Sequence, residues 1–301
     1  MSQSELAISI RSAFDAATDH YCDRGVVYLM LGTKHLAVLA VSLYTLRKYW
    51  HGPVTLFADA AAANTGAVAG IALDCDPPIM VVDYQPPPHR AYTVKPFVPA
   101  MSHYVNTIQV DADTAWAGPP DPLFDLLKPG LCVVTQFSNW VTTGSRMRGR
   151  IEEWWNKDRE KVQACLAKPW PALNTGVVAY HRDSRVAKEL WLEETLKNPR
   201  VFISDEVAMN LLVPFHGPDE LLVVGDRFNR SPKFPGKDGE PMLYHFHGRK
   251  HTRDERMRAV WLPIFTEMWY NNWGGVRDWL PRCNDGRLHE WLRANPIGER
   301  I

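Results

Sequence analysis

The sequence predicts an α/β fold in which a mostly parallel central sheet is flanked by helices. Short, continuously apolar segments alternate with segments of helical spacing, a pattern typical of parallel strands that are buried on both faces. Residues suited to ligand contact follow several of these strands, and ligands bind at the carboxyl ends of strands in such sheets. With 301 residues, 46% of them apolar, the chain is long enough to form one large core.

Four strands are predicted in the first 110 residues, at 26–31, 54–58, 79–82 and 105–110, and the first of them is a continuous apolar run. Helices are predicted between them, at residues 35–49, 60–71 and 92–101. The residues that follow these strands at their carboxyl ends are Gly32 with Thr33, Asp59, Asp83 and Asp111. The first half of the chain therefore has the pattern of a nucleotide-binding α/β unit.

The second half continues this alternation and ends in a helical segment. Strands are predicted at residues 131–136, 221–224 and 242–246, and residues 171–180 are predicted to form a loop that enters a strand. Helices are predicted within 144–168, at 184–197 with Ser184 as its cap, and at 204–212. We expect residues 1–255 to form one domain and the tryptophan-rich residues 256–301 to form a helical extension packed on it.

The composition of the chain indicates which kinds of binding partner and which cellular compartment to expect. The chain has 34 basic and 34 acidic residues, so no strong overall field favours a polyanionic partner. Its five cysteines are scattered, which is typical of reduced thiols in a cytoplasmic protein. No signal peptide is recognisable, and the longest apolar run is too short to span a bilayer, so we expect a soluble cytoplasmic protein.

An aspartate pair directly follows the fourth predicted strand, in residues 110–114 (VDADT). In an extended backbone Asp111 and Asp113 would point to the same side. Two such carboxylates, together with the phosphates of a substrate, can hold Mg²⁺ or Mn²⁺. The motif is short and occurs by chance in many loops, so its meaning depends on its surroundings. The glycine-rich motifs of dinucleotide-binding and P-loop proteins are absent.

Four segments, in this order, carry a resemblance to a known family. They are Ser42-Leu43 leading to Asp59; Asp111 and Asp113 followed by Leu123-Phe124; Leu173-Asn174 with Gly176-Val177, followed by Ser204-Asp205-Glu206 and Asn210; and His245-Phe246-His247-Gly248-Arg249-Lys250. In these segments the chain resembles A-type glycosyltransferases, and most of all family 8, the glycogenin and galactosyltransferase-like group. Two positions depart from that family: its Asp-Gln is Asp205-Glu206 here, and its Lys-Pro-Trp is replaced by Lys250-His251-Thr252.

The resemblance implies a metal site that holds the diphosphate of a nucleotide-sugar donor. Its ligands would be Asp111, Asp113 and a third residue, His245, with His247 as the alternative. An imidazole among carboxylates suits Mn²⁺ somewhat better than Mg²⁺. The residues near the phosphates would be Lys95, Gly248 and Lys250, with Arg249 as an alternative to Lys250.

The resemblance also implies roles for residues around the rest of the donor. Gly32, Thr33 and Asp59 would approach the nucleoside, although a strand-end residue such as Asp59 can equally cap the next helix. Asn174 and Gly176 would line the sugar pocket, and the glycine would allow close approach of the backbone. Asp205 would act near the reacting sugar carbon together with Asn174; the alternative for Asp205 is a helix cap.

The resemblance implies a metal-dependent glycosyltransferase that uses a UDP-sugar with retention of anomeric configuration. The acceptor, a glycan or another molecule, the sugar itself and the oligomeric state are not given by the sequence. Two alternatives use the same aspartates: a nucleotidyltransferase, disfavoured by the single glycine after the first strand, and a binding protein without turnover. A nucleic-acid base as acceptor would need a local basic face, and the neutral net charge disfavours it.

Overall fold

A seven-stranded sheet forms the centre of the molecule in the computed structural model, which describes residues 22–86, 91–141, 145–167, 170–247 and 254–280. Its strands are β1 (Arg24–Met30), β2 (Val54–Ala58), β3 (Met80–Asp83), β4 (Asn106–Val110), β6 (Cys132–Val141), β7 (Trp170–His181) and β8 (Leu221–Val224). They are arranged in the order β3-β2-β1-β4-β7-β6-β8. Every strand is parallel to the others except β7, which is antiparallel to both of its neighbours.

Helices pack on both sides of this sheet. They are α1 (Leu36–Arg47), α2 (Ala60–Ala63), α3 (Gly66–Asp74), α4 (Ala91–Val94), α5 (Val98–Met101), α6 (Asp121–Phe124), α7 (Arg146–Glu152), α8 (Arg159–Leu166), α9 (Trp191–Lys197), α10 (Ser204–Leu212), α11 (Glu255–Tyr270) and α12 (Val276–Trp279). Within the described residues, no helix is both long and apolar enough to cross a membrane. The α/β fold with a mostly parallel central sheet is thus confirmed.

The reversed direction of β7 brings its first half to the edge where the parallel strands end. Val110, the last residue of β4, pairs with Val177, and the Asp111 amide donates to the Gly176 carbonyl at 2.8 Å. Asn174 and Gly176 therefore lie beside the aspartate pair although more than 60 residues separate them in the chain.

A second, two-stranded sheet brings a histidine to the same place. Strand β5 (Thr114–Trp116) pairs antiparallel with β9 (Leu243–His245), with Thr114 opposite His245. The Phe246 amide donates to the Asp113 carbonyl at 2.8 Å. Because β5 starts directly after the aspartate pair, its partner strand ends beside that pair.

Several predicted elements differ from the structure. Residues 171–180 are strand throughout, not a loop entering a strand, because the β7 segment pairs with β6 from Trp170 onward. The predicted helix 60–71 is two helices, since Thr65 caps a new one. Residues 92–101 form short helical turns around Pro96 and Pro99, and 144–168 is divided into α7 and α8. The predicted helix 184–197 begins as a π-helix, Val186–Leu190, before α9.

One large apolar cluster joins the sheet, α1 and the helices near the carboxyl terminus. It contains Met257, Trp261, Phe265 and Met268 of α11 together with β1, β2 and β4 residues such as Tyr28, Leu56 and Ile108. Trp261 and Phe265 stack with ring centroids 4.5 Å apart. Helix α11 therefore forms part of the main core. The division into a domain of residues 1–255 and an extension of residues 256–301 stays a prediction, and residues 281–301 lie outside the described part of the chain.

Candidate functional site

A cleft of about 1660 Å³ opens along the carboxyl ends of the parallel strands. Its lining residues come from β1, β4 and the segments that follow them, from α7, from the start of α10 and from the segment around Ser231. Asp111, Asp113, Asn174, Asp205 and His245 all line it. This is the place where sheets of this topology bind ligands.

Three potential metal ligands meet in the wall of this cleft. Asp111, Asp113 and His245 each offer one ligand atom, and the three atoms lie within 4.8 Å of one another. His245 Nε2 lies 3.2 Å from Asp113 Oδ1 and 3.9 Å from Asp111 Oδ2. Two carboxylates and one imidazole form a mixed oxygen and nitrogen donor set that suits a divalent cation such as Mn²⁺.

The backbone around the aspartate pair is a turn, so the predicted extended geometry is wrong there. The chain changes direction at Ala112 and Asp113 because β5 begins at Thr114 and must pair with β9. The Thr114 hydroxyl donates to the Asp111 carbonyl at 2.9 Å and holds this turn. The two carboxylates converge through the turn and not through strand alternation.

His245, and not its alternative His247, belongs to this cluster of ligand atoms in the described part of the chain. His245 is buried, with 4% of its surface exposed, at the end of β9. His247 lies beyond the strand in the left-handed region, at φ 50°, with its ring centroid 4.2 Å from that of His245.

Lys95 is held between two carboxylates. Its Nζ lies 2.8 Å from Asp111 Oδ1 and 3.3 Å from Asp205 Oδ2, and it donates to the Thr175 carbonyl at 3.3 Å. Burial lowers the pKa of Lys95, but the carboxylates of Asp111 and Asp205 outweigh it and hold that pKa above its ordinary value. Burial raises the pKa of Asp111, and the Lys95 ammonium group opposes this shift only in part. Lys95 therefore stays charged beside the aspartates.

Asp205 lies in the first turn of α10 without capping it. The residue before the helix, Ile203, has φ 56° and makes no side-chain cap hydrogen bond. Asp205 Oδ2 accepts from the Thr175 hydroxyl at 2.7 Å, and its Oδ1 is buried with no hydrogen-bond partner among the described residues. One carboxylate oxygen of this cleft residue is thus left without a hydrogen-bond partner among the described residues.

Asn174 connects the sheet to the start of α10. Its Nδ2 donates to Glu206 Oε1 at 2.6 Å, and its Oδ1 accepts from the Gly176 amide at 2.8 Å. Burial, followed by the neighbouring Asp205 carboxylate, raises the pKa of Glu206 to about 8. A raised pKa favours the protonated carboxyl group, which could donate a hydrogen bond into the cleft that Glu206 lines.

Gly176 allows a close approach to the backbone of β7, as expected, but the group that approaches is the His245 side chain and not a sugar. A Cβ at this position would lie 2.4 Å from His245 Cε1 and 2.7 Å from Asn174 Oδ1. Real Cβ atoms do not approach this closely, so only glycine lets the His245 ring lie against β7. Gly176 itself is not among the described residues that line the cleft.

The predicted nucleoside contacts, Gly32, Thr33 and Asp59, are not among the described residues that line the cleft. Leu31 and His35, which lie on either side of Gly32 and Thr33 in the chain, do line the cleft. Asp59 accepts from the Gly32 amide through both oxygens, at 3.0 and 2.9 Å, and from the Ala62 amide at 2.9 Å. Asp59 thus caps α2 and holds the turn at Gly32, where φ is 66°. Its contact with a nucleoside stays a prediction.

Two predicted phosphate contacts, Gly248 and Lys250, lie outside the described residues, as does the alternative Arg249. Three residues at the site did not emerge from the sequence: Thr175, Glu206 as a cleft residue, and Asn229. Asn229 is 1% exposed and contacts both Asn174 and His245. A single asparagine in a loop has no periodicity or motif that could have revealed it, whereas Thr175 and Glu206 are direct neighbours of predicted residues.

No family model and no curated protein matches this sequence. Solved structures do resemble it. The galactosyltransferase LgtC, in complex with donor and acceptor sugar analogs, matches with a TM-score of 0.56 and 14% identity, over 81% of this chain and 94% of that one. Mouse xyloside xylosyltransferase 1, in its apo form, gives a TM-score of 0.53 at 13% identity, over 74% of this chain and 97% of that one.

The glycosyltransferase GlyE of Streptococcus pneumoniae matches with a TM-score of 0.55 and 13% identity, over 83% of this chain and 64% of that one. This chain has the A-type glycosyltransferase fold. At these identities the likeness concerns the fold, so the activity must be argued from the site.

Proposed function

We propose that this protein is a metal-dependent glycosyltransferase, which transfers a sugar from a nucleotide-diphosphate sugar to an acceptor. One observation carries the proposal: on an A-type glycosyltransferase fold, Asp111, Asp113 and His245 present ligand atoms within 4.8 Å of one another in the wall of a large cleft. The resemblance in sequence supports a UDP-sugar donor and retention of configuration as parts of the same proposal.

The three ligand residues would hold Mn²⁺ in preference to Mg²⁺, because an imidazole ligand favours the softer ion. The residues fit such a cation, since their donor atoms converge and His245 Nδ1 is engaged elsewhere, which leaves Nε2 facing the carboxylates. When bound, the metal would supply positive charge to the donor diphosphate and so stabilise the departing nucleoside diphosphate.

The charges of the cleft explain why such an enzyme would need a cation. Asp111, Asp113 and Asp205 line the cleft together and would repel an anionic donor. Lys95 compensates part of this charge through its ion pairs with Asp111 and Asp205. A divalent cation would compensate the rest, so donor binding is expected to depend on the metal.

The remaining residues are assigned by their place around the donor. Gly32, Thr33 and Asp59 would lie at the nucleoside end, and Lys95, Gly248 and Lys250 near the phosphates. Asn174, Asp205 and the neighbouring Glu206 line the cleft and would face the sugar, where the Asp205 carboxylate would orient a hydroxyl group or stabilise positive charge developing at the reacting carbon. We propose a glycan as the acceptor by analogy with LgtC, whose solved structure contains an acceptor sugar analog.

The experiment that tests the proposal is a measurement of nucleotide release from a panel of UDP- and GDP-sugars, with Mn²⁺, with Mg²⁺ or with EDTA. We expect slow release from one UDP-sugar, fastest with Mn²⁺ and absent with EDTA. Transfer gives the nucleoside diphosphate, whereas nucleotidyl exchange would give pyrophosphate. Donor binding without any release, even after a panel of sugar acceptors is added, would contradict the enzymatic proposal.

The double variant Asp111→Ala with Asp113→Ala should abolish release, because it removes two of three metal ligands. Its circular dichroism spectrum should match that of the wild type, since backbone hydrogen bonds and the Thr114 hydroxyl hold this turn, and the two carboxylates do not. The matched control is Asp83→Asn, which changes an exposed aspartate at the end of β3 outside the cleft lining. Full activity in the double variant would refute the assignment of the metal site.

A further inference from the structure

Asn229 occupies a buried position between the metal cluster and the sugar side of the cleft. It follows the short helical turn Asp226–Phe228 and is 1% exposed. Its Nδ2 donates to Asn174 Oδ1 at 2.8 Å and to the Thr135 hydroxyl at 2.7 Å, and its Oδ1 lies 2.9 Å from His245 Nδ1. It thus contacts one proposed metal ligand and one proposed sugar contact.

A single backbone amide determines the orientation of every group in this chain of hydrogen bonds. The Gly176 N–H can only donate, so the Asn174 atom that faces it must be Oδ1. The Asn229 atom 2.8 Å from that Oδ1 must then be the donor Nδ2, which turns Asn229 Oδ1 towards His245. Because that oxygen only accepts, the hydrogen of a neutral His245 ring must be on Nδ1.

This tautomer presents the correct atom to the metal site. With its hydrogen on Nδ1, the His245 ring has its lone pair on Nε2, which is the nitrogen 3.2 Å from Asp113 and 3.9 Å from Asp111. The other tautomer would place a hydrogen there and prevent coordination. At the far end of the chain, Asn174 Nδ2 donates to Glu206 Oε1, so the same orientation extends to the sugar side.

We propose that Asn229 is a positioning residue, which holds His245 as an Nε2 ligand and joins its orientation to that of Asn174. This inference rests on the proposed function, because it assigns the way in which the metal site of that function is prepared. Partners of this kind commonly raise metal affinity by fixing the ligand ring and its tautomer. Asn229 is not among the described residues that line the cleft, so it would contact neither the metal nor the donor directly.

The test measures the Kd for Mn²⁺ of two full-length variants and of the wild type. Mn²⁺ is titrated without donor, and electron paramagnetic resonance detects the free ion. Asn229→Leu removes the acceptor for His245 Nδ1, and we expect the Kd for Mn²⁺ to rise about 10- to 100-fold. Asn229→Asp keeps an acceptor there and should leave the Kd close to the wild-type value. It cannot donate to Asn174, so it should instead raise the KM for the donor.

A matched control separates positioning from a general loss of stability. Thr55→Val removes a buried hydrogen bond of similar kind, between Thr55 and the Tyr104 hydroxyl at 2.7 Å, in a part of the core that does not line the cleft. It should lower the melting temperature while leaving the Kd for Mn²⁺ unchanged. An equal loss of Mn²⁺ affinity in Thr55→Val and Asn229→Leu would overturn the proposal, as would an equal loss in Asn229→Asp.

A second measurement does not depend on metal binding. The ¹⁵N chemical shifts of the His245 ring, recorded at pH 9 without metal, report which nitrogen carries the hydrogen. We expect the Nδ1–H form in the wild type and in Asn229→Asp, and a shift towards the Nε2–H form in Asn229→Leu. The same form in all three proteins would overturn the proposal. If the wild type binds no Mn²⁺, the proposed function fails, and this measurement still decides the role of Asn229.

Discussion

At the residue scale, the carboxyl group of Glu206 should make stability depend on pH. Its pKa is raised to about 8 in the folded protein, mainly by burial, against about 4.3 for an ordinary glutamate. Between these two pKa values the folded state therefore keeps a proton on Glu206 that the unfolded state has lost. The contribution of this group to stability is fully present below the lower pKa and is lost as the pH rises towards the higher one. Each unit of such a shift corresponds to at most about 1.4 kcal/mol.

Glu206→Gln should remove this dependence while keeping the oxygen that accepts from Asn174. We expect the variant to unfold with a free energy close to that of the wild type at pH 5 and to be more stable at pH 8. Urea titrations in EDTA across this range measure the difference, with exposed Glu240→Gln as control. If the free energies of unfolding of the variant and the wild type differ by the same amount at every pH, the raised pKa of Glu206 is contradicted.

The sequence predicted the ligand residues of the site better than their supports. Asp111 and Asp113 were recognisable because two carboxylates follow an apolar strand, whereas His245 was predicted only because the family resemblance implies a third ligand there. Asn229 carries no such local pattern, since its role depends on which side chains meet when the β5–β9 sheet and β7 come together. Contacts of that kind depend on the tertiary structure and not on spacing along the chain.

At the element scale, apolar runs located the parallel strands to within one or two residues at their ends, except that β6 runs to Val141 and not to residue 136, because its second half pairs with the start of β7. Strands β2 and β8 were predicted with their observed bounds, because each is a continuous apolar segment with a clear end. Strand β7 was predicted only in part, since Pro171, Asn174 and Gly176 are residues typical of turns. Its antiparallel direction has no local signal, although that direction brings Asn174 and Gly176 to the aspartate pair.

Helices α8 and α9 are joined by a cluster of charges around the buried carboxylate of Glu194, which is 1% exposed. Lys161 and Lys197 both contact its Oε2, the latter at 2.9 Å. Lys197 also reaches Asp158, the cap of α8, at 2.6 Å. Because the partners come from two helices, this cluster is expected to hold α9 against α8.

Glu194→Gln should lower the free energy of unfolding by about 1–3 kcal/mol, because it removes the buried partner of two partly exposed lysines. The comparison is Glu189→Gln, in which an exposed pair with Arg185 is removed and a change below about 0.5 kcal/mol is expected. Urea denaturation of both variants measures the two changes. Nucleotide release should be unaffected in both, since neither residue lines the cleft. If both substitutions lower the free energy of unfolding by the same amount, the buried ion pairs of Glu194 stabilise the fold no more than an exposed pair does.

At the scale of the whole molecule, a neutral total charge conceals a strongly uneven distribution. Acidic groups collect around Asp111, Asp113 and Asp205, whereas Arg146 and Lys233 lie elsewhere in the lining of the same cleft. A donor with a charged diphosphate would meet both regions, and only the acidic one requires a cation. The net charge read from the sequence could not reveal this separation, because it depends on how the strands and loops are brought together.

The shared core also determines how the chain should unfold. Trp261 of α11 is 1% exposed and belongs to the same apolar cluster as the strands of the sheet, so the helix near the carboxyl terminus and the sheet should unfold together. Trp261→Ala removes a large buried ring and should cost about 3–5 kcal/mol. Circular dichroism at 222 nm and tryptophan fluorescence should then report one coincident transition, at lower urea than in the wild type. If residues 255–280 formed a separate unit, the variant would show two transitions, and only the first would move. A variant that unfolds at the wild-type midpoint would instead show that α11 contributes little to the core, contrary to its packing.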